Sequence, residues 1–113
     1  GRLHITRHFQ EDCLLLFPET EWTAFRERVA AWPMSAAWQK RIVLSNAVAL
    51  DMDVSNGRIL LSPELREASR MGKEALLLGN GSHFELWDKQ VYATQEALAR
   101  AQALPETLAH FVF

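Results

Sequence analysis

Cysteine is nearly absent from this 113-residue sequence: Cys13 is the single one, so an intrachain disulfide is excluded and no cysteine pair has metal-site spacing. Long apolar runs are missing too. Stretches such as 14–17 and 75–78 are far shorter than the roughly 20 residues that a membrane helix needs. No basic start precedes an apolar signal core. We therefore expect a cytoplasmic protein with no membrane partner.

An excess of basic residues is also missing, because the formal net charge is −2. Proteins that bind nucleic acid through their overall charge carry a basic footprint, so any DNA contact in this chain has to be local. Large apolar side chains are plentiful by contrast, with four Trp and six Phe. Burying them requires an intrachain core and favours a partner subunit as well.

Catalytic and metal-binding motifs are absent. Only His4 and His8 are close enough to share a strand face, and they have no further ligands nearby. Residues 79–81 are followed by Ser-His-Phe and not by the Lys-Ser/Thr of a phosphate-binding loop, so they predict a hairpin turn. Cys13 opens an apolar strand, where a buried and inert thiol is usual. We predict a protein that is not an enzyme and uses no cofactor and no metal.

The spacing of apolar residues and turn formers predicts alternating hairpins and helices. Ser62-Pro63 gives an N-cap followed by proline at the first helical position, and Gly72 is predicted to end that helix. The predicted strands are 3–8, 13–17, 49–53, 58–61, 75–78 and 84–87, and the predicted helices are 20–32, 35–48, 63–70 and 89–103.

An internal repeat is the clearest organisational signal. CLLLFPETEW (13–22) superimposes on HFELWDKQVY (83–92) at an offset of 70 residues, which pairs Phe17 with Trp87 and Trp22 with Tyr92. Both copies run from a hairpin through an aromatic residue into a helix.

The sequence resembles the MraZ family of bacterial transcriptional regulators. The resemblance rests on 53–61 with its Gly-Arg before an apolar strand, on Pro-Glu-Leu-Arg at 63–66, on LLLGNGSHFELWD at 76–88 and on CLLLFPETEW. It implies an α/β (α+β) fold, an AbrB-like swapped-hairpin barrel built from two similar halves with linking and C-terminal helices. The expected division is 1–34 for the remainder of the first half, 35–48 for a linker helix, and 49–113 for the second half with its C-terminal helix.

The resemblance also implies a function. Members of the family form ring-shaped homo-oligomers on repeated G-rich boxes upstream of the division and cell-wall gene cluster, which implies promoter DNA and further copies of itself as partners and a nucleoid-associated location. Each half of such a protein contributes an Asp-x-x-x-Arg element. The element of the first half is expected upstream of Gly1. In the second half, Asp53 and Arg58 are separated by four residues and not by three.

Arg58 is the first candidate for DNA contact, because an arginine fork can donate two hydrogen bonds to guanine O6 and N7. We expect Asp53 to orient the guanidinium, Asn56 to adopt a positive φ or contact a phosphate, and Gly57 to allow close backbone approach. The plainer interpretation is a hairpin turn with a solvated arginine. The corresponding alternative function is an oligomerisation or protein-interaction module that does not bind DNA.

Other features have two interpretations each. Arg7, His8 and the pair 40–41 could contact phosphates, although solvated surface cations are commoner. Arg66 and Arg70 are expected to form a local salt-bridged face with Glu67. We expect the tryptophans in the core, with a subunit interface as the less favoured alternative: Trp22, Trp32, Trp38 and Trp87. The tail 108–113 is apolar enough to dock.

Overall fold

The computed structural model describes residues 2–51 and 59–113. The strands in those residues are β1 Arg2–Arg7, β2 Leu14–Pro18, β3 Val48–Asp51, β4 Ala75–Gly79 and β5 Phe84–Asp88. The α-helices are α1 Glu19–Ala30, α2 Ala37–Ser45, α3 Pro63–Ala68, α4 Lys89–Ala101 and α5 Glu106–Ala109, and a 3-10 helix, Met34–Ala36, precedes α2. Both predicted hairpins, β1–β2 and β4–β5, are confirmed.

The strands form one antiparallel sheet in the order β3-β1-β2-β5-β4. The centre of the sheet joins the two hairpins through β2 and β5, and β3, which follows α2 in the chain, returns to pair with β1. The mixed helix and strand architecture with interleaved halves is the predicted one. The described strands form an open sheet and not a closed barrel, because closure requires hydrogen bonds between the two edge strands, β3 and β4, and these lie at opposite edges.

The internal repeat is visible in the element boundaries. β2 begins at Leu14 and β5 begins at Phe84, 70 positions later, and the helices that follow begin at Glu19 and Lys89 with the same offset. Leu15 pairs with Glu85, its own counterpart in the repeat, at the centre of the β2–β5 ladder. The two halves are therefore related by an approximate two-fold axis through this pair.

Strand β2 lies between two apolar clusters, one on each face of the sheet. Successive side chains of a strand point to opposite faces, so Leu15 and Phe17 enter one cluster while Leu14 and Leu16 enter the other. This explains why residues 13–17 form an uninterrupted apolar run: both faces of the strand are covered. The first cluster contains Cys13, Leu15, Phe17, Trp22, Trp87 and Val91, and the second contains Leu3, Ile5, Leu14, Leu16 and Leu65.

The tryptophans divide between core and surface. Trp22 and Trp87 are buried, as predicted, whereas Trp32 is half-buried and meets Phe9 edge-on at 5.4 Å between ring centroids. Trp38 is 69% exposed, so its predicted place in the core is wrong. The buried residue of α2 is Val43, five positions later, and five residues of an α-helix turn the side chain by about 140° away from that face.

Helix α3 ends earlier than predicted, at Ala68 and not near residue 70. Its end is a Schellman motif, in which the N–H of Met71 donates to the carbonyl of Arg66 and the N–H of Arg70 donates to that of Glu67. Arg70 occupies the left-handed position with φ of 54°, where glycine is usual. The prediction that Gly72 ends this helix is therefore wrong.

The C-terminal residues do not pack against the body of the protein. Helix α4 is amphipathic and buries Val91, but every residue from Glu96 to Phe113 is exposed. The apolar tail 108–113 was expected to dock. Among the described residues of this chain it has no covering surface.

Candidate nucleic-acid interface

The four predicted site residues, Asp53, Asn56, Gly57 and Arg58, lie outside the described residues. The structure describes the two segments that flank them, the end of β3 and the approach to α3. The assignment of these four residues to DNA contact stays a prediction.

On the β3 side, an exposed ion pair stands at the edge of the sheet. Arg2 is opposite Asp51 in the β1–β3 ladder, and Arg2 Nε is 3.7 Å from Asp51 Oδ1. Sequence reasoning missed Arg2 in this place because the pairing joins residues almost fifty positions apart, and no local pattern announces such a contact. An arginine therefore lies beside the last described residue before the predicted DNA-contacting segment.

On the α3 side, the chain is fixed by apolar packing and by a helix cap. Leu50, before the predicted segment, and Ile59 and Leu61, after it, pack on the same cluster as Leu65. The Ser62 hydroxyl accepts the N–H of Leu65 at 3.2 Å, as the predicted N-cap requires. Both segments that flank residues 52–58 are thus anchored in one apolar cluster of the sheet.

Two other predicted phosphate-contacting groups have structural roles. The Nδ1 of His8 accepts the N–H groups of Gln10 and Glu11, each at 2.9 Å, so this imidazole organises the β1–β2 turn. Burial lowers the pKa of His8, which favours the neutral ring that can accept these bonds. On α2, the guanidinium of Arg41 lies 4.7 Å from the ring centroid of Trp38, in cation–π geometry.

The predicted salt-bridged face of α3 is wrong, because no ion pair among the described residues joins Glu67 to Arg66 or Arg70. Arg70 lies beyond the helix end, and its Nη1 is 3.4 Å from Oδ2 of Asp12 in the β1–β2 turn. The left-handed backbone at Arg70 turns the chain away from the helix axis, so a side chain four positions after Arg66 no longer shares its face.

Asp88 is a structurally important carboxylate that sequence reasoning did not single out. It caps α4 by accepting the N–H of Val91 at 3.0 Å, and its other oxygen accepts the N–H of Gly72 at 2.8 Å. These two hydrogen bonds lower the pKa of Asp88, and the bond from Gly72 has the larger effect. An aspartate one residue before a predicted helix was the available signal for the cap, but the bond to Gly72 is nonlocal.

The thiol of Cys13 and the imidazole of His4 are both packed against other side chains. Cys13 is 2% exposed, as predicted, and burial raises its pKa to about 12, which disfavours the reactive thiolate. His4 stacks on Trp22 with 5.3 Å between ring centroids, and its Nε2 is 3.7 Å from Glu19 Oε1, too long for a hydrogen bond. Within residues 2–51 and 59–113, no three His, Cys, Asp or Glu side chains are grouped to hold a metal ion.

No helix in the described part of the chain has the length and apolar character needed to cross a membrane.

Comparison with known proteins identifies the family. Residues 43–110 match the family described as "MraZ protein, putative antitoxin-like". The chain belongs to the MraZ family. Curated relatives named transcriptional regulator MraZ, from Burkholderia mallei (strain SAVP1) and Burkholderia pseudomallei (strain 668), are 55% identical over 113 residues, which is all of this chain and 78% of each relative. The MraZ of Burkholderia vietnamiensis (strain G4) is 54% identical over the same span.

Proposed function

We propose that this MraZ-family chain is a sequence-specific DNA-binding transcriptional regulator that acts as a homo-oligomeric ring in the cytoplasm, in association with the nucleoid. The observation that carries the proposal is 55% identity over the whole chain to relatives named transcriptional regulator. Its targets are repeated G-rich boxes upstream of the division and cell-wall gene cluster. The halves 1–34 and 49–113, joined by the linker 35–48, supply the repeated elements of the ring.

Arg58 is the base-reading residue in this proposal, with Asp53 as its orienting carboxylate and Asn56 and Gly57 shaping the segment. The anchoring of Leu50 and Ile59 in one cluster supports this role, because a contact segment has to start and end on rigid elements to hold a side chain in register with a base. We propose that Arg2, exposed beside Asp51, adds a phosphate contact.

A net charge of −2 makes nonspecific attraction to DNA weak, so affinity in the proposed mechanism comes from assembly. Several copies in one ring engage successive boxes, and the second contact is made at the high effective concentration that the first contact creates. Oligomerisation is therefore part of the binding mechanism.

The test is fluorescence anisotropy on DNA that carries repeated G-rich boxes, with the wild type, Arg58→Ala and Arg26→Ala. Arg26 is exposed on α1, so its replacement removes the same charge from a surface outside the proposed contact. We expect Arg58→Ala to weaken binding by about 5- to 150-fold, the equivalent of roughly 1 to 3 kcal/mol for a bidentate guanine contact. Arg26→Ala should bind like the wild type.

The alternative is an oligomerisation module that does not bind DNA. It predicts a wild-type chain that assembles, as measured by light scattering, yet binds neither the G-rich fragment nor a fragment of scrambled sequence. That result would refute the DNA-binding function and leave the assembly in place.

A further inference from the structure

We propose that the apolar C-terminal arm, residues 104–113, docks on the outer face of α2 in a second copy of this chain. That face, the Trp38 face, consists of Met34, Trp38 and Arg41 with the cleft beside them. The inference deepens the proposed homo-oligomer and rests on it, because it assigns the surfaces through which one subunit contacts the next.

The arm forms its own turns and yet covers no surface among the described residues of its own chain. The N–H of Leu108 donates to the carbonyl of Pro105 at 2.9 Å, and the N–H of Phe111 donates to that of Leu108 at 3.1 Å. The rings of Phe111 and Phe113 meet edge-on at 5.2 Å between centroids. The large apolar side chains of the arm are nevertheless exposed: Leu104, Leu108, Phe111, Val112 and Phe113.

The internal repeat shows what such a segment does in the other half. Pro33 follows α1 as Pro105 follows α4, 72 positions later, and each proline leads into a short helix. In the first half the chain continues into α2, which packs on α1 and β1 and fully buries Val43. In the second half the equivalent segment stays exposed through Phe113. The described residues leave its apolar surface uncovered, and we assign that cover to a second copy of the chain.

The Trp38 face has the composition of a protein interface. Met34 is 89% exposed and Trp38 is 69% exposed, and the Arg41 guanidinium lies over the indole. Tryptophan, arginine and methionine are enriched at interfaces, and tryptophan and arginine dominate binding hot spots. A shallow cleft beside them is lined by Ala37, Lys40, Arg41, Leu44 and Ser45.

Charge favours the pairing of these two surfaces. Residues 34–46 carry Lys40 and Arg41 and no acidic residue, whereas residues 101–113 carry Glu106 and neither Lys nor Arg. Burying the exposed rings of Phe111 and Phe113 would remove roughly 300 Å² from water on the arm, a substantial part of the approximately 800 Å² per partner of a standard interface.

The contact joins two different surfaces, the arm in the second half of the chain and the Trp38 face in the first half. A reciprocal exchange between two copies would close a dimer, whereas the proposed ring requires that each copy gives its arm to one neighbour and receives the arm of the other. Head-to-tail contacts of this type close into rings when the rotation between neighbours allows it. The Trp38 face and the arm are thus the two complementary surfaces that we assign to the head-to-tail contact of the ring.

The first experiment measures mass by sedimentation velocity for the wild type, Phe111→Ser with Phe113→Ser, Trp38→Ser, and the control Leu60→Ser. All four substituted side chains are exposed, so each variant should fold, and circular dichroism verifies this. We expect the arm variant and Trp38→Ser each to raise the midpoint concentration of assembly by roughly 30-fold, the effect of losing one hot spot. The Leu60→Ser control should assemble like the wild type.

The second experiment tests the pairing itself. The chain that carries both Trp38→Cys and Phe111→Cys is oxidised and run without reductant, with Cys13 retained because it is buried. A covalent ladder beyond the dimer supports head-to-tail docking, provided that each single-cysteine variant stops at the dimer. A monomer with an internal link, or dimers alone, would overturn the proposal.

The outcomes also separate this inference from the proposed function. A wild type that assembles while its arm and Trp38→Ser variants assemble equally well refutes the arm contact and leaves the ring intact. A wild type that stays monomeric at every concentration measured refutes both. Assembly that survives Arg58→Ala but not Phe111→Ser with Phe113→Ser places subunit contact and DNA contact on separate residues, as we propose.

Discussion

Arg70 offers a direct test of the backbone geometry that ends α3. Its φ of 54° is in the left-handed region, where a Cβ atom costs roughly 1 to 2 kcal/mol. Replacing it with Gly removes that cost, and replacing it with Ala keeps it. Both substitutions also remove the guanidinium and its contact with Asp12 at 3.4 Å, so the difference between the two variants reports the backbone alone.

Glycine also loses more backbone freedom on folding, which offsets roughly 0.5 to 1 kcal/mol of this gain. We therefore expect Arg70→Gly to be more stable than Arg70→Ala by up to about 1.5 kcal/mol, with a central value of roughly 0.75 kcal/mol, measured by urea unfolding at one protein concentration. The corresponding difference in melting temperature is about 2 to 5 °C for a domain of this size. An alanine variant as stable as the glycine variant would show that residue 70 is not left-handed, and would contradict the Schellman motif.

Three further results are expected. Ser62→Ala should lower the free energy of unfolding by about 1 kcal/mol, since Leu65 loses its cap acceptor, and Ser62→Asp should restore most of it in the same urea assay. The N–H groups of Gly72 and Val91 lower the pKa of Asp88, so the wild type should be more stable than Asp88→Asn at pH 7. This difference in the free energy of unfolding should be lost as pH falls below about 4, where the carboxylate becomes protonated. A difference that persists in acid would contradict the charge-based account. The Cys13 thiol should react with a thiol reagent at pH 8 about 1000-fold more slowly in the folded chain than after unfolding, and equal rates would contradict its burial.

Features set by neighbouring residues were predictable from the sequence. The apolar run at 13–17 predicted a strand, and Ser62-Pro63 predicted a capped helix start, because strand alternation and helix capping act over four residues or fewer. The offset of 70 residues between the halves was also readable, since it compares the sequence with itself.

Features set by distant contacts were not predictable from the sequence. The sequence placed Trp38 in the core because large aromatic residues are usually buried, but which face of α2 is covered depends on its packing against α1 and β1. The pairing of β3 with β1, which places Arg2 beside Asp51, likewise has no local signature. The sequence predicted that Gly72 ends α3, because glycine is the usual left-handed residue, whereas Arg70 occupies that position.

The central claim is that Arg58 reads guanine, and a double-mutant cycle tests it most directly. The wild type and Arg58→Ala are each titrated against DNA with intact G-rich boxes and against DNA with the box guanines replaced by adenine. We predict a coupling free energy of about 1 to 3 kcal/mol between Arg58 and the guanines. If Arg58→Ala weakens binding to both DNAs by the same factor, the coupling is zero and Arg58 does not read the base.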